Sequence, residues 1–125
     1  MQPIQLFKLA SEQAQWLSVR HTVVAGNIAN ANTSGYVAKD VAPFNAVLES
    51  AGSKMAATHP GHINEANVRG STQSTEINGI SVHPSGNTVS LPNELSKGSE
   101  IKRQYEINAG IVKKMNNMML AAVRK

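Results

Sequence analysis

The residues Asn27-Ile28-Ala29-Asn30-Ala31-Asn32-Thr33-Ser34-Gly35-Tyr36 read as an elaborate exit from a helix. Asn27 and Asn30 are three apart, so they share a helix face. Their carboxamides donate and accept together, which suits them to free carbonyls at a helix end or to the backbone of another chain. Ala29 and Ala31 are small and permit close approach. Asn32, Thr33 and Ser34 favour turns through local side-chain bonds. Gly35 supplies a positive φ where the helix stops. Tyr36 and Val37 then begin an extended segment. An ordinary capped helix needs one or two such residues, and this stretch concentrates all of them.

Upstream of the exit lies the helix it ends, expected from about Pro3 to about Ala31. Phe7, Ala10, Ala14, Leu17, His21, Val24, Ile28 and Ala31 recur in alternating steps of three and four. Only His21 among them is polar, and it reads as a packed, hydrogen-bonded histidine. A heptad seam sustained this long calls for a long partner helix. Pro3 suits the first turn, where its missing N–H costs nothing.

The partner stands at the other end of the chain. A helix is expected from about Leu91 to about Val123, with Ser90 as its N-cap and Pro92 in the first turn. Its seam is Ile101, Tyr105, Asn108, Val112, Met115, Met119 and Ala122. Ile107, Ile111, Met118 and Leu120 widen the stripe enough to touch more than one helix. Gly110 beside Ala109 suggests a close helix–helix approach. Between the helices, Gly, Ser, Thr, Asn and Pro dominate. A short helix over Pro43 to Ala51 and a short strand over Gly79 to His83 are the ordered elements expected there. Much of the remainder reads as ordered only on assembly. The fold class is therefore mainly α: a coiled-coil-like antiparallel pair of terminal helices with a polar, partly flexible middle. It forms one domain overall, divided at 1–32, 33–90 and 91–125.

Composition narrows the function. The 125 residues are 41% hydrophobic but only 4% aromatic, which limits the core the chain builds alone. There is no Cys, so disulfides and thiolate metal sites are excluded. The remaining source of stability is burial against partners. The net charge is +4, and the segment from Asn93 onward holds that excess. A basic helix serves nucleic acid, an anionic membrane, or simply a solvated face. No run approaches the ~18–20 apolar residues of a membrane span. Met1 to Trp16 is interrupted by polar residues and lacks the pattern of a secretory signal. The chain is expected to be cytosolic, or exported without a cleaved signal.

The catalytic inventory is poor, and no enzyme is expected. Asp40 is the only Asp, and the His residues are His21, His59, His62 and His83. His59-Pro60-Gly61-His62 invites a metal reading, but Pro-Gly is a turn signal, and a third ligand would have to come from a flexible stretch. No phosphate-binding glycine loop fits a strand–loop–helix context. No cofactor, metal or small-molecule substrate is expected.

Asn27-Ile28-Ala29-Asn30, followed by Thr33, Gly35 and Tyr36 after a seam-bearing helix, resembles the signature of the flagellar axial proteins of the rod and hook. Asn87-Thr88-Val89 ahead of the last helix is similar to the same family. Ser34 stands where that family usually has Pro, and Ser90 where it often has Asp. The resemblance covers both termini, and the chain is as short as the smallest rod subunits. It implies a structural subunit of the proximal rod, exported through the flagellar type III apparatus without a cleaved signal. The subunit would polymerise with itself and other rod proteins into a helical tube across the periplasm that transmits torque. It further implies contacts with FlgC-like rod subunits, a FliE-like junction protein and the export gate on the membrane side. It implies neither nucleic acid nor a small molecule as partner. Asn27, Ile28, Asn30, Thr33, Gly35 and Tyr36 are the expected interface motif. Phe7, Leu17, Val24, Ile101, Tyr105, Val112, Met115 and Met119 are the expected packing residues. The alternatives are a sibling rod subunit of the FlgC type and, in another class, a small basic helical binder of nucleic acid or membranes.

Overall fold

The computed structural model describes residues 3–52, 75–78 and 80–124. Its elements are α1 (Pro3–Ala29), β1 (Val37–Val41), α2 (Phe44–Gly52), β2 (Thr75–Ile77), β3 (Ile80–Thr88) and α3 (Leu91–Val123). The paired terminal helices and the mixed middle are those the sequence calls for. The helices run antiparallel: Asn27 meets Glu94, Arg20 meets Glu100 and Ala10 meets Asn108, in opposite order along the two. The bounds of α3 are the expected ones, whereas α1 stops at Ala29, two residues short of the expected end. Ser90 is extended at the N-cap of α3, but its hydroxyl makes no capping bond. Instead its carbonyl accepts from the Glu94 N–H at 3.0 Å.

The middle holds a short helix and three strands, of which the sequence reading located one. The strand order is β1-β3-β2, and both pairings are antiparallel. The expected strand near Gly79–His83 is the start of β3, which continues to Thr88. Its first part alternates buried Ile80 and Val82. Its second part is polar and exposed, so hydropathy does not reveal it; β1 holds it through the pairs Lys39↔Pro84 and Asp40↔His83. Pro84 lies past Val82, the last residue of β3 with which the described part of β2 pairs. Asn78 takes φ +52 between β2 and β3. Asn-Gly is the strongest short hairpin signal a sequence offers, and Asn78 takes the positive φ such a turn needs. The expected helix near Pro43–Ala51 is α2.

The core is one cluster: Trp16, Leu17, Val19, Val23 and Val24 of α1, Val41, Ile80 and Val82 of the sheet, and Ile101 of α3. The heptad seam supplies only Leu17 and Val24 of the α1 members. Trp16, Val19 and Val23 form a second stripe, because α1 is covered by strands as well as by α3. Trp16 is fixed by a 2.8 Å hydrogen bond from Nε1 to the Ala42 carbonyl. Its ring lies 5.8 Å from Phe44, and the Arg20 guanidinium stands 5.2 Å from its centroid. Two expectations are corrected here. His21 is exposed rather than packed in the seam, because the burial of α1 has turned toward Trp16, Val19 and Val23. Gly110 makes no close approach among the described residues of the chain, since a Cβ there would meet nothing within 4 Å. His59 and His62 lie outside the described residues.

Candidate functional site: the helix exit and the outer face of α3

The exit of α1 is built from nested local bonds. The Asn30 amide nitrogen Nδ2 donates to the Gly26 carbonyl at 2.8 Å, adding a second bond to an oxygen that the Asn30 backbone N–H already reaches at 3.1 Å. The Thr33 hydroxyl donates to Asn30 Oδ1 at 3.2 Å, and the Tyr36 N–H donates to the Thr33 carbonyl at 3.3 Å. Gly35 takes φ +74, the left-handed conformation read from the sequence. The chain is thereby turned to lay β1 beside the helix it has just left.

Asn27 does the joining. Its Nδ2 donates to the Lys39 carbonyl at 2.8 Å, and its Oδ1 accepts from the Lys39 N–H at 2.9 Å. One side-chain amide thus satisfies both backbone groups of a residue on β1, as a neighbouring strand would. Nδ2 also donates to Glu94 Oε2 at 3.0 Å, and the Tyr36 hydroxyl donates to Oδ1 at 3.4 Å. Asn27 is 0% exposed, so its polar atoms are used inside the subunit. Ile28 packs against the core, while Asn30 and Tyr36 are half-buried and Thr33 and Gly35 are exposed. The motif therefore splits into an internal clasp, Asn27 with Ile28, and an outer surface.

Glu94 is the residue that sequence reasoning missed. Its carboxylate is 3% exposed and bonded to Asn27 on one oxygen and to Lys97 Nζ, at 3.1 Å, on the other. Lys97 also reaches Asp40 Oδ2 at 3.4 Å. Burial alone would lower the Lys97 pKa. The hydrogen bond to Glu94 and the charges of Asp40 and Glu94 outweigh burial and hold it above the usual 10.5. Lys97 is thus a structural cation joining β1 to α3. A polar cleft of about 380 Å³ opens beside it, lined by Ser85, Asn93 and Ser96 among others. Both carboxylates at its edge already bind Lys97. Among the described residues, no group of three or more His, Asp or Glu could hold a metal ion. No described helix is long and apolar enough to cross a membrane.

The other feature is the outer face of α3. Within the chain this helix buries only Glu94, Ile101, Asn108 and Met115. Of the expected packing residues, Leu17, Val24, Ile101 and Met115 are buried, Phe7 and Val112 are half-buried, and Tyr105 and Met119 point outward. Ile107, Ile111 and Met118 are exposed by 54%, 46% and 60%. Their spacing of four and seven puts them on one side of the helix. Val123 lies fifteen residues past Asn108, whereas Pro3 lies seven before Ala10. The last eight residues of α3, roughly 12 Å, therefore project beyond the described start of α1. They carry exposed Leu120 and Val123. Apolar residues this contiguous on a small monomer mark an interaction surface.

The chain is similar over its whole length to the flagellar basal body rod protein FlgB of Agrobacterium fabrum (strain C58 / ATCC 33970). Identity is 50% over 135 aligned positions, covering 100% of this chain and 97% of that relative. No family model matches the chain.

Proposed function

The chain belongs to the FlgB family of flagellar basal-body rod proteins, and on that premise we propose that it works as a structural subunit by burying the outer face of α3 against neighbouring subunits. The observation that carries this reading is the stripe Ile107, Ile111 and Met118, left exposed beside a seam that is already filled. Copies of the chain and other rod proteins, FlgC-like subunits among them, cover it in a helical tube that transmits torque. An interface between unlike surfaces whose rotation does not close into a ring propagates as a helix. The outer part of the exit motif, Asn30, Thr33, Gly35 and Tyr36, touches neighbours together with Tyr105 and Met119. Asn27 and Ile28 act from inside by fixing the shape of that surface. A FliE-like junction protein and the export gate are the proposed contacts on the membrane side. The rod lies in the periplasm, reached without a cleaved signal.

The test is complementation of motility in a strain lacking this gene, with export of each variant checked. Ile107→Asp and Met118→Asp should be exported and fail to restore motility, because a carboxylate would be desolvated at a subunit contact. Normal motility in both would contradict assembly through this face.

A further inference from the structure

The four residues that α3 buries are Glu94, Ile101, Asn108 and Met115. They stand seven apart, and they alternate: acidic, apolar, amide, apolar. Each polar member has a specific partner on α1. Glu94 accepts from Asn27 Nδ2 at 3.0 Å, and Asn108 Nδ2 donates to the Ala10 carbonyl at 2.9 Å. In the second contact the amide reaches the helix backbone directly.

We propose that Glu94 and Asn108 act as a register lock, admitting only the alignment in which Glu94 meets Asn27 and Asn108 meets Ala10. A seam of uniform apolar residues at heptad spacing tolerates a slip of one heptad, because each knob finds an equivalent hole. This seam does not. Sliding α3 one way carries Glu94 away from Asn27 to the place of Ile101 in the apolar cluster that holds Leu17, Val24 and Val82, where burying a carboxylate is costly. Sliding it the other way carries Asn108 to that same place and sets Ile101 against the Asn27 amide. Only a slip of fourteen residues restores the alternation, and it gives up half of the helix pairing. The lock sets how far α3 projects past the start of α1. It rests on intrachain contacts alone and stands whether or not the chain is a rod subunit.

The chain has no Cys of its own, so spin labels can be placed in the full-length protein at Lys8→Cys and Ser96→Cys. Both sites are exposed and lie toward opposite ends of the pair. Double electron–electron resonance should give one distance in this parent. Glu94→Leu/Asn108→Leu makes the seam uniformly apolar and should add a second population displaced by up to ~10 Å, one heptad of rise. Asn108→Leu alone should show a smaller second population. The parent distance alone in a folded double variant would overturn the lock. If the double variant loses its helical circular dichroism, the single variant decides: a second distance supports the lock, and the parent distance alone overturns it. Unfolding of both variants would show that the two side chains supply stability rather than alignment, and would also overturn it.

Discussion

Asn27 Nδ2 donates to Glu94 Oε2 at 3.0 Å, joining the last turn of α1 to the first turn of α3 across 67 residues of chain. The same amide also pairs with the backbone of Lys39. Three elements therefore share one side chain. Replacing it leaves the part-buried N–H and carbonyl of Lys39 and a buried carboxylate oxygen of Glu94 each short of a partner. Asn27→Ala should cost about 2–4 kcal/mol of stability, since each unsatisfied buried group costs ~1–3 kcal/mol and waters recover part. Asn27→Asp should cost more, because it faces a second carboxylate at Glu94 and the carbonyl of Lys39. Urea unfolding of the purified chain measures both. A loss below about 0.5 kcal/mol for Asn27→Ala, the range of an ordinary surface change, would remove the clasp from this account.

Lys97 gives a pH signature. Its folded pKa is raised above 10.5, so the unfolded chain releases this proton first as pH rises. The stabilisation is fully present below the unfolded pKa and is lost as pH climbs through the folded one. Lys97→Met should therefore be less stable than the parent at neutral pH, with the difference shrinking above about pH 10.5. Denaturant midpoints of the two proteins between neutral and strongly alkaline pH test this. A difference that stays constant through the alkaline range would assign the effect of Lys97 to packing of its stem rather than to its charge.

The sequence carried the frame of this molecule but not its clasp. α3 was legible to the residue because Pro92 in its first turn, the heptad spacing and the lack of any later Pro are all local. The exit at Gly35 was legible for the same reason. Trp16, Val19 and Val23 escaped a one-seam reading because their burial depends on strands that pack on a second side of α1. Glu94 escaped because nothing local distinguishes an acid in a first helical turn from a solvated one that favours the helix dipole. Its burial follows only once Asn27 and Lys97 arrive from different turns and elements. The polar half of β3 is held by backbone pairing to β1, and it leaves no hydropathic trace.

Gly35 and Asn30 should separate backbone from side-chain effects at the exit. Gly35 has φ +74, and a Cβ there would meet nothing within 4 Å. Gly35→Ala therefore carries only the conformational penalty of the left-handed region, about 1 kcal/mol. Asn30→Ala removes one capping bond to Gly26 in a partly solvated place, a loss of ~0.5–1.5 kcal/mol. Both variants should fold and be exported. If the outer surface of the exit is a subunit contact, Asn30→Ala should depress motility more than its stability loss explains. Swimming equal to that of a stability-matched core variant such as Ile80→Val would confine Asn30 to capping.

Ile111, Val112 and Lys113 are consecutive on α3 and meet three environments. Ile111 is 46% exposed on the outer stripe, Val112 is half-buried beside the seam, and Lys113 is exposed. One charge change at each position therefore separates folding from assembly. Val112→Asp should weaken the helix pair in the isolated chain, because the carboxylate is drawn toward a dry seam without a partner. Ile111→Asp should leave unfolding midpoints within about 0.5 kcal/mol of the parent, as surface changes do. It should still abolish motility, since its environment becomes dry only when a neighbour covers it. Lys113→Ala should affect neither. A chain acting as a basic nucleic-acid binder would rank these differently: it would lose function through Lys113 and its fellow cations, with binding that falls steeply with salt. The decisive comparison is motility against stability for Ile111→Asp. Full motility in that variant, with normal export, would overturn assembly through the outer face of α3.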